Sequence, residues 1–223
     1  MALSNDELFL LNTLMYIETN DEGKKVGSTL QRMDVFVQDL KTSNKVEEVS
    51  VGDWITSIDT DKLIDDFDYG SGMTGRDWKN IIGSVKKNDK LMSLTIAETH
   101  VDTKTGGNSL SALFNDKSGD EAVVVFRGTE GEEEWKDNFV AGNLVDTPMQ
   151  RSALEWYKKV YEEHDLKKYE TITVTGHSKG GNKSKYITIL DDTVDRCVAI
   201  DDQGFSDKFF KRTAIRSQKT RIK

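Results

Sequence analysis

Residues 171–181, T-I-T-V-T-G-H-S-K-G-G, constrain this chain more than any other stretch, because a β-rich run breaks at a glycine-punctuated turn and a helical segment, K-S-K-Y-I-T-I-L, follows at once. Two kinds of site are built on a strand, a glycine turn and a helix. A phosphate loop needs G-x-x-x-x-G-K-[ST], so that backbone N–H groups, a lysine and a hydroxyl meet the phosphates at fixed offsets. Gly176 and Gly181 have that separation, but Asn182 intervenes before Lys183 and Ser184 and puts the loop one residue out of register. The alternative is G-x-S-x-G, met by Gly176, Ser178 and Gly180, with His177 and Lys179 between them. At such a turn the serine sits in a strained backbone conformation at the strand's end, and the glycines let neighbouring chain approach closely.

The rest of the chain supplies a sheet for that turn. Segments 91–101, 109–116 and 121–129 read as strands, the last two joined by a K-S-G-D turn, and the apolar A-V-V-V-F predicts a central strand covered on both faces. Thr147, Pro148 and Gln150 have capping-box spacing ahead of a helix with Leu154, Tyr157, Val160 and Tyr161 on one side. After the serine turn and its helix comes another strand, R-C-V-A-I-D at 196–201. This alternation predicts an α/β fold with a largely parallel central sheet and helices on both faces. Upstream, Ser4 and Glu7 open a helix expected to end near Asn20, and 28–40 and 76–87 are further helical segments. The acidic segment 59–72 lacks the residue order of a calcium loop and reads as a solvated loop. The expected organisation is one domain over 1–223, with a helical part at 1–88, a core at 89–212 and a basic tail at 213–223.

Composition narrows the function classes. Thirty-one Lys and Arg against 39 Asp and Glu leave a net charge of −8, a field that disfavours nucleic acid and anionic membrane surfaces as general partners. One cysteine, Cys197, and three histidines are too few and too scattered for a disulfide or a zinc cluster. Cys197 lies in an apolar run and reads as inert packing. No basic leader and no apolar run of membrane-spanning length are present, so the cytosol is the default expectation, with export lacking a cleaved signal leaving no trace in sequence.

V-V-V-F-R-G-T-E-G-E-E-E-W-K-D-N together with V-T-G-H-S-K-G-G resembles the class 3 lipases, the fungal-type group of α/β hydrolases. The resemblance covers roughly residues 90–212, and Lys179 after the serine, D-T-P-M-Q-R-S-A-L and A-I-D-D-Q-G-F look more like a poorly characterised bacterial branch of that group. It implies an α/β-hydrolase fold in which Ser178 attacks an ester carbonyl to form an acyl-enzyme. It further implies an oxyanion hole made by the N–H groups of Lys179 and Thr129, a Thr129 loop braced by Trp135, Asp137 and Asn138, and a structural rather than catalytic His177. The implied substrate is a small-molecule or lipid ester.

The resemblance stops at the triad. In α/β hydrolases the acid and the histidine follow the serine along the chain, yet no histidine follows Ser178 here. The chain reads as C-terminally short, ending before both expected positions. Asp201 or Asp202 could supply an acid, although Asp201 fits better as the residue that orders the Q-G-F turn. His100 and His164 lie upstream and are expected at the surface, as are Lys179 and Lys183, which would remain protonated and unable to act as a base. The expected function is a serine carboxylester hydrolase with an incomplete triad, acting through Ser178 without metal or organic cofactor; the alternative is a degenerate hydrolase acting as an interaction module.

Overall fold

The computed structural model describes residues 2–44, 46–70, 72–105, 108–128 and 146–220, with side chains at 44 and 214–220 left aside. The chain divides into two units, one of residues 3–99 and 114–118, the other of residues 1–2, 100–113 and 119–223.

The first unit is largely helical: α1 (Asn5–Leu14), α2 (Asp21–Lys25), α3 (Met33–Asn44), α4 (Val51–Ser57), α5 (Gly75–Lys86) and α6 (Asp89–Ser93). Capping boxes open three of them, at Ser4 with Glu7, Ser50 with Asp53 and Thr74 with Asp77. Leu8, Leu11, Leu14, Trp54, Trp78 and Ile82 are buried on their inner faces, as period-3.6 apolar spacing requires. Two expected boundaries move because asparagines cap new helices. Asn20 accepts from the Gly23 N–H at the start of α2, so α1 ends at Leu14; Asn88 accepts from the Leu91 N–H, so Leu91 and Met92 are helical and the strand begins at Thr95. The acidic segment folds around buried Tyr69, whose hydroxyl accepts from the Ile64 N–H at 2.9 Å, while Asp65 pairs with Lys79 at 2.6 Å and Asp66 with Arg76 at 3.0 Å.

The strands form a five-stranded sheet in the order β1 (Thr95–Asp102), β2 (Ser109–Asn115), β3 (Glu121–Phe126), β4 (Thr171–His177), β5 (Arg196–Ile200). β3 pairs parallel to β4 and β4 parallel to β5. The β1–β2 and β2–β3 connections, at 103–108 and 116–120, are too short for the crossover that parallel neighbours need, so these pairs are antiparallel and the sheet is mixed. With helices around it, this is an α/β-hydrolase-like α/β fold. Every residue of β3 is buried, as the A-V-V-V-F run predicts, whereas every residue of β5 at the sheet's edge is half-buried.

Polar side chains on β3, β4 and β5 pair across the sheet. Glu121, at the start of β3, accepts from the Thr173 hydroxyl and faces Arg196 at 3.8 Å, and the Thr175 hydroxyl donates to the Val198 carbonyl at 2.6 Å. Between β3 and β4 lies α7 (Pro148–Glu163), opened by the Thr147–Gln150 capping box with Pro148 at its first turn; between β4 and β5 lies α8 (Lys179–Leu190), packed on α7 and on both strands. A last helix, α9 (Asp207–Thr220), includes the start of the expected tail and anchors through Phe209, which stacks on Phe205 at 4.3 Å and meets Tyr186 at 5.7 Å.

Candidate active site

Ser178 stands between the end of β4 and the first residue of α8, with φ 53° and ψ −122°. A side chain at positive φ is strained by about 1–3 kcal/mol, and such strain persists only where the surroundings over-determine it. Here they do. The Ser178 N–H donates to the Ile200 carbonyl at 2.8 Å, prolonging the β4–β5 ladder past the last strand residue, and its carbonyl accepts from the Asn182 N–H at 3.1 Å in the first turn of α8.

The glycines explain how so tight a turn closes. A Cβ on Gly176 would lie 2.2 Å from the Gly180 carbonyl carbon, one on Gly180 would lie 1.9 Å from the Phe126 carbonyl oxygen, and one on Gly181 would lie 2.6 Å from the Asp202 Cβ. The first turn of α8 therefore rests on the end of β3 to one side and on the turn after β5 to the other. The Ser178 side chain is half-buried, and Lys179 is the first residue of α8. A helix N-terminus concentrates N–H donors and partial positive charge where an oxyanion would need them.

The remaining residues named from sequence fall into three groups. Thr129, Trp135, Asp137 and Asn138 lie outside the described residues; β3 delivers the chain as far as Arg127 and Gly128, with Phe126 in register with Gly176. His177 closes β4 opposite Ile200 and is half-buried. Asp201 is exposed and itself left-handed, with φ 45°, while Asp202 pairs with Lys185 at 2.8 Å.

The surface placement of two lysines is overturned. Lys179 and Lys183 are buried, at 0% and 2% exposure, because the first turns of α8 are enclosed between strand ends and α7. The Lys183 Nζ donates to the Ser109 Oγ at 2.9 Å, and that hydroxyl donates in turn to the Arg127 carbonyl at 3.3 Å.

Neither upstream histidine is brought to Ser178. His100 is on β1, three strand spacings from β4, a lateral distance of roughly 14 Å; its ring is half-buried and stacks on Trp156 at 5.6 Å. His164 is the C-cap of α7, just before β4 begins, so the length of that strand, roughly 20 Å, separates it from the serine at the other end.

Sequence reasoning missed Asn182. It is fully buried, its Oδ1 accepts from Gln150 Nε2 at 2.7 Å, and its Nδ2 donates to the carbonyls of Gln203 at 3.2 Å and Gly204 at 3.1 Å. The available signal was that Asn182 is the very residue that puts a phosphate loop out of register.

A family model described as Mbeg1-like matches residues 86–223. Among solved structures, a fungal lipase in an inhibitor complex, described as a model for interfacial activation in lipases, is 20% identical and has a TM-score of 0.36. That likeness covers 45% of this chain and 42% of the lipase, so the chain spans less than half the length of that relative. No curated protein sequence matches the chain.

Proposed function

The chain belongs to the Mbeg1-like family, which is lipase-like, and on that premise we propose that it is a serine carboxylester hydrolase domain with Ser178 as nucleophile. The observation that carries this reading is the Ser178 backbone, held at positive φ between a parallel strand and a helix N-terminus. That conformation costs stability and places a serine at the C-terminal end of an interior strand, an arrangement with a use in acyl transfer.

In this reading the Ser178 Oγ adds to the ester carbonyl carbon, and the carbonyl oxygen becomes an oxyanion facing the N–H groups of Lys179 and Thr129. The resemblance assigns Trp135, Asp137 and Asn138 to the support of Thr129, and all four lie outside the described residues. Collapse expels the alcohol and leaves an acyl-enzyme that water cleaves. The serine proton must pass to a base and then to the leaving alcohol. None of the three histidines follows Ser178, and neither His100 nor His164 is placed to take that proton. Asp201 has no imidazole to orient, and its exposed left-handed backbone fits a turn residue. In this reading the proton acceptor is supplied from outside the described residues. Small-molecule and lipid esters are the substrate class; no helix among the described residues is long and apolar enough to cross a membrane.

A second reading, a non-catalytic interaction module of hydrolase ancestry, is favoured by that same lack of a placed histidine. Chemical rescue separates the two. Hydrolysis of p-nitrophenyl butyrate by the chain, with imidazole titrated in as a diffusible base, should rise well above the rate of the Ser178→Ala variant at the same imidazole concentration. Coincident curves would remove the hydrolase reading and leave the interaction module.

A further inference from the structure

The residues of α8 that break the phosphate-loop register, Asn182 and Lys183, are not exposed helix surface. Consecutive on the nucleophile's helix, they project about 100° apart around its axis, and each ends on a main-chain carbonyl system beside Ser178. Asn182 donates to the carbonyls of Gln203 and Gly204, in the turn that begins with left-handed Asp201 directly after the Ile200 carbonyl that holds the Ser178 N–H. Lys183 reaches Ser109 on β2, and Ser109 donates to the carbonyl of Arg127, just past β3 and two residues before Thr129. All four side chains in this system, Gln150, Asn182, Lys183 and Ser109, are 2% exposed or less.

We infer that Asn182 and Lys183 are positioning residues that lock the two chain segments flanking Ser178, the turn after β5 and the end of β3, to the serine's own helix. The inference deepens the hydrolase reading and rests on it for its catalytic meaning. The geometry gives each residue one side: Asn182 fixes the Gln203–Gly204 carbonyls, and Gln150, bonding its Oδ1, sets the amide so that both N–H donors face that turn. Lys183 acts through Ser109 on the backbone that leads into the proposed oxyanion loop. A buried amide or ammonium stays in such a place only when its hydrogen bonds are made, so removing either leaves specific carbonyls or hydroxyls unsatisfied rather than merely loosening a core.

The test compares Asn182→Leu, Lys183→Met and the conservative pair Asn182→Asp and Lys183→Arg in the full chain. Hydrogen exchange is followed in peptides covering 201–206 and 123–128. The expected result is side-specific: Asn182→Leu and Asn182→Asp raise exchange at least tenfold in 201–206 and leave 123–128 within twofold, because aspartate keeps the acceptor for Gln150 but loses both donors. Lys183→Met does the reverse, and Lys183→Arg restores protection. Ser109→Ala alone should raise exchange in the same 123–128 segment, since Ser109 carries the bond to Arg127, and its effect should not simply add to that of Lys183→Met.

In imidazole-rescued hydrolysis, Asn182→Leu and Lys183→Met should lower kcat about 10- to 100-fold at a KM changed less than threefold. A chain with no Ser178-dependent rate would sink the hydrolase reading and leave the exchange pattern to decide the positioning role. Uniform or unchanged exchange in the variants, or a lowered rate expressed in KM alone, would overturn the inference. Should a hydrophobic variant fail to fold, the Asn182→Asp and Lys183→Arg comparison decides it, since their opposite outcomes follow from donors alone.

Discussion

The backbone N–H of Ser178 is bonded to the carbonyl of Ile200 at 2.8 Å, one residue beyond the end of β4, while Ser178 itself sits at φ 53°. A strand bond and a left-handed residue seldom coincide, and together they fix where the hydroxyl emerges. The strain belongs to the side chain, since a glycine adopts the same φ at no steric penalty. Ser178→Gly should therefore stabilise the protein by about 1 kcal/mol, raising the melting temperature by roughly 2–4 °C, while abolishing imidazole-rescued hydrolysis. Differential scanning calorimetry beside the rate assay checks both halves. A variant less stable than the parent would show that the serine side chain contributes contacts outweighing its strain.

Glycines in two helices should respond to alanine with opposite signs. Gly83, inside α5, has open space where a Cβ would go, so Gly83→Ala should gain about 0.5–1 kcal/mol from helix propensity alone. Gly180 would drive its Cβ to 1.9 Å from the Phe126 carbonyl oxygen, backbone against backbone, with no side chain able to yield. Gly180→Ala should cost about 3 kcal/mol and shift the β3 end away from the serine. Urea unfolding of the two variants gives the comparison directly.

Much of this was legible in the sequence, and the reasons are local. The strand, turn and helix around Ser178 announce themselves because each glycine answers a backbone approach that only glycine permits. The capping boxes at Ser4 and Thr147 are read from spacing, whereas those at Ser50 and Thr74 and the caps at Asn20 and Asn88, the last two of which move expected boundaries, follow equally local rules and were missed. The burial of Lys179 and Lys183 was not legible, since a lysine's place depends on what encloses it, and here strand ends and α7 enclose the first turns of α8. The bonds from Asn182 to Gln203 and Gly204 join segments more than 20 residues apart in the chain, beyond the reach of periodicity.

Acid should weaken the helical unit first. Burial alone raises the Glu7 carboxyl, but the Ser4 N–H at 2.7 Å, the Asn88 amide at 3.0 Å and Lys90 at 3.5 Å outweigh it and hold the group below its ordinary value. The Thr74 hydroxyl and N–H likewise hold Asp77 low at the start of α5. A carboxylate held low in the folded state binds protons more readily once unfolded, so its stabilisation is present above the ordinary carboxylate range and is lost as pH falls through the depressed folded value. The melting temperature should be flat near neutrality and decline below about pH 4.5. Glu7→Gln and Asp77→Asn should start lower at pH 7 and decline less steeply. Parallel acid limbs in parent and variants would assign the decline to other carboxylates.

Asp201 separates a turn residue from a catalytic acid. It is exposed, its φ is 45°, and it follows the carbonyl that holds Ser178, while neighbouring Asp202 is occupied by Lys185 at 2.8 Å. An acid of a triad acts by orienting an imidazole, and none of the chain's histidines is placed between Asp201 and Ser178. Its backbone conformation is one that asparagine shares and glycine adopts more easily. Asp201→Asn should therefore keep the imidazole-rescued rate within about twofold, and Asp201→Gly should keep it too while stabilising the turn by a few tenths of a kcal/mol up to about 1 kcal/mol. Loss of about 10⁴-fold in Asp201→Asn, the size of effect an orienting acid has elsewhere, would instead make Asp201 part of the machinery. It would also mean that the imidazole it orients is bound in a fixed place rather than met by diffusion, which saturation of the rescue with imidazole concentration would reveal in the parent chain.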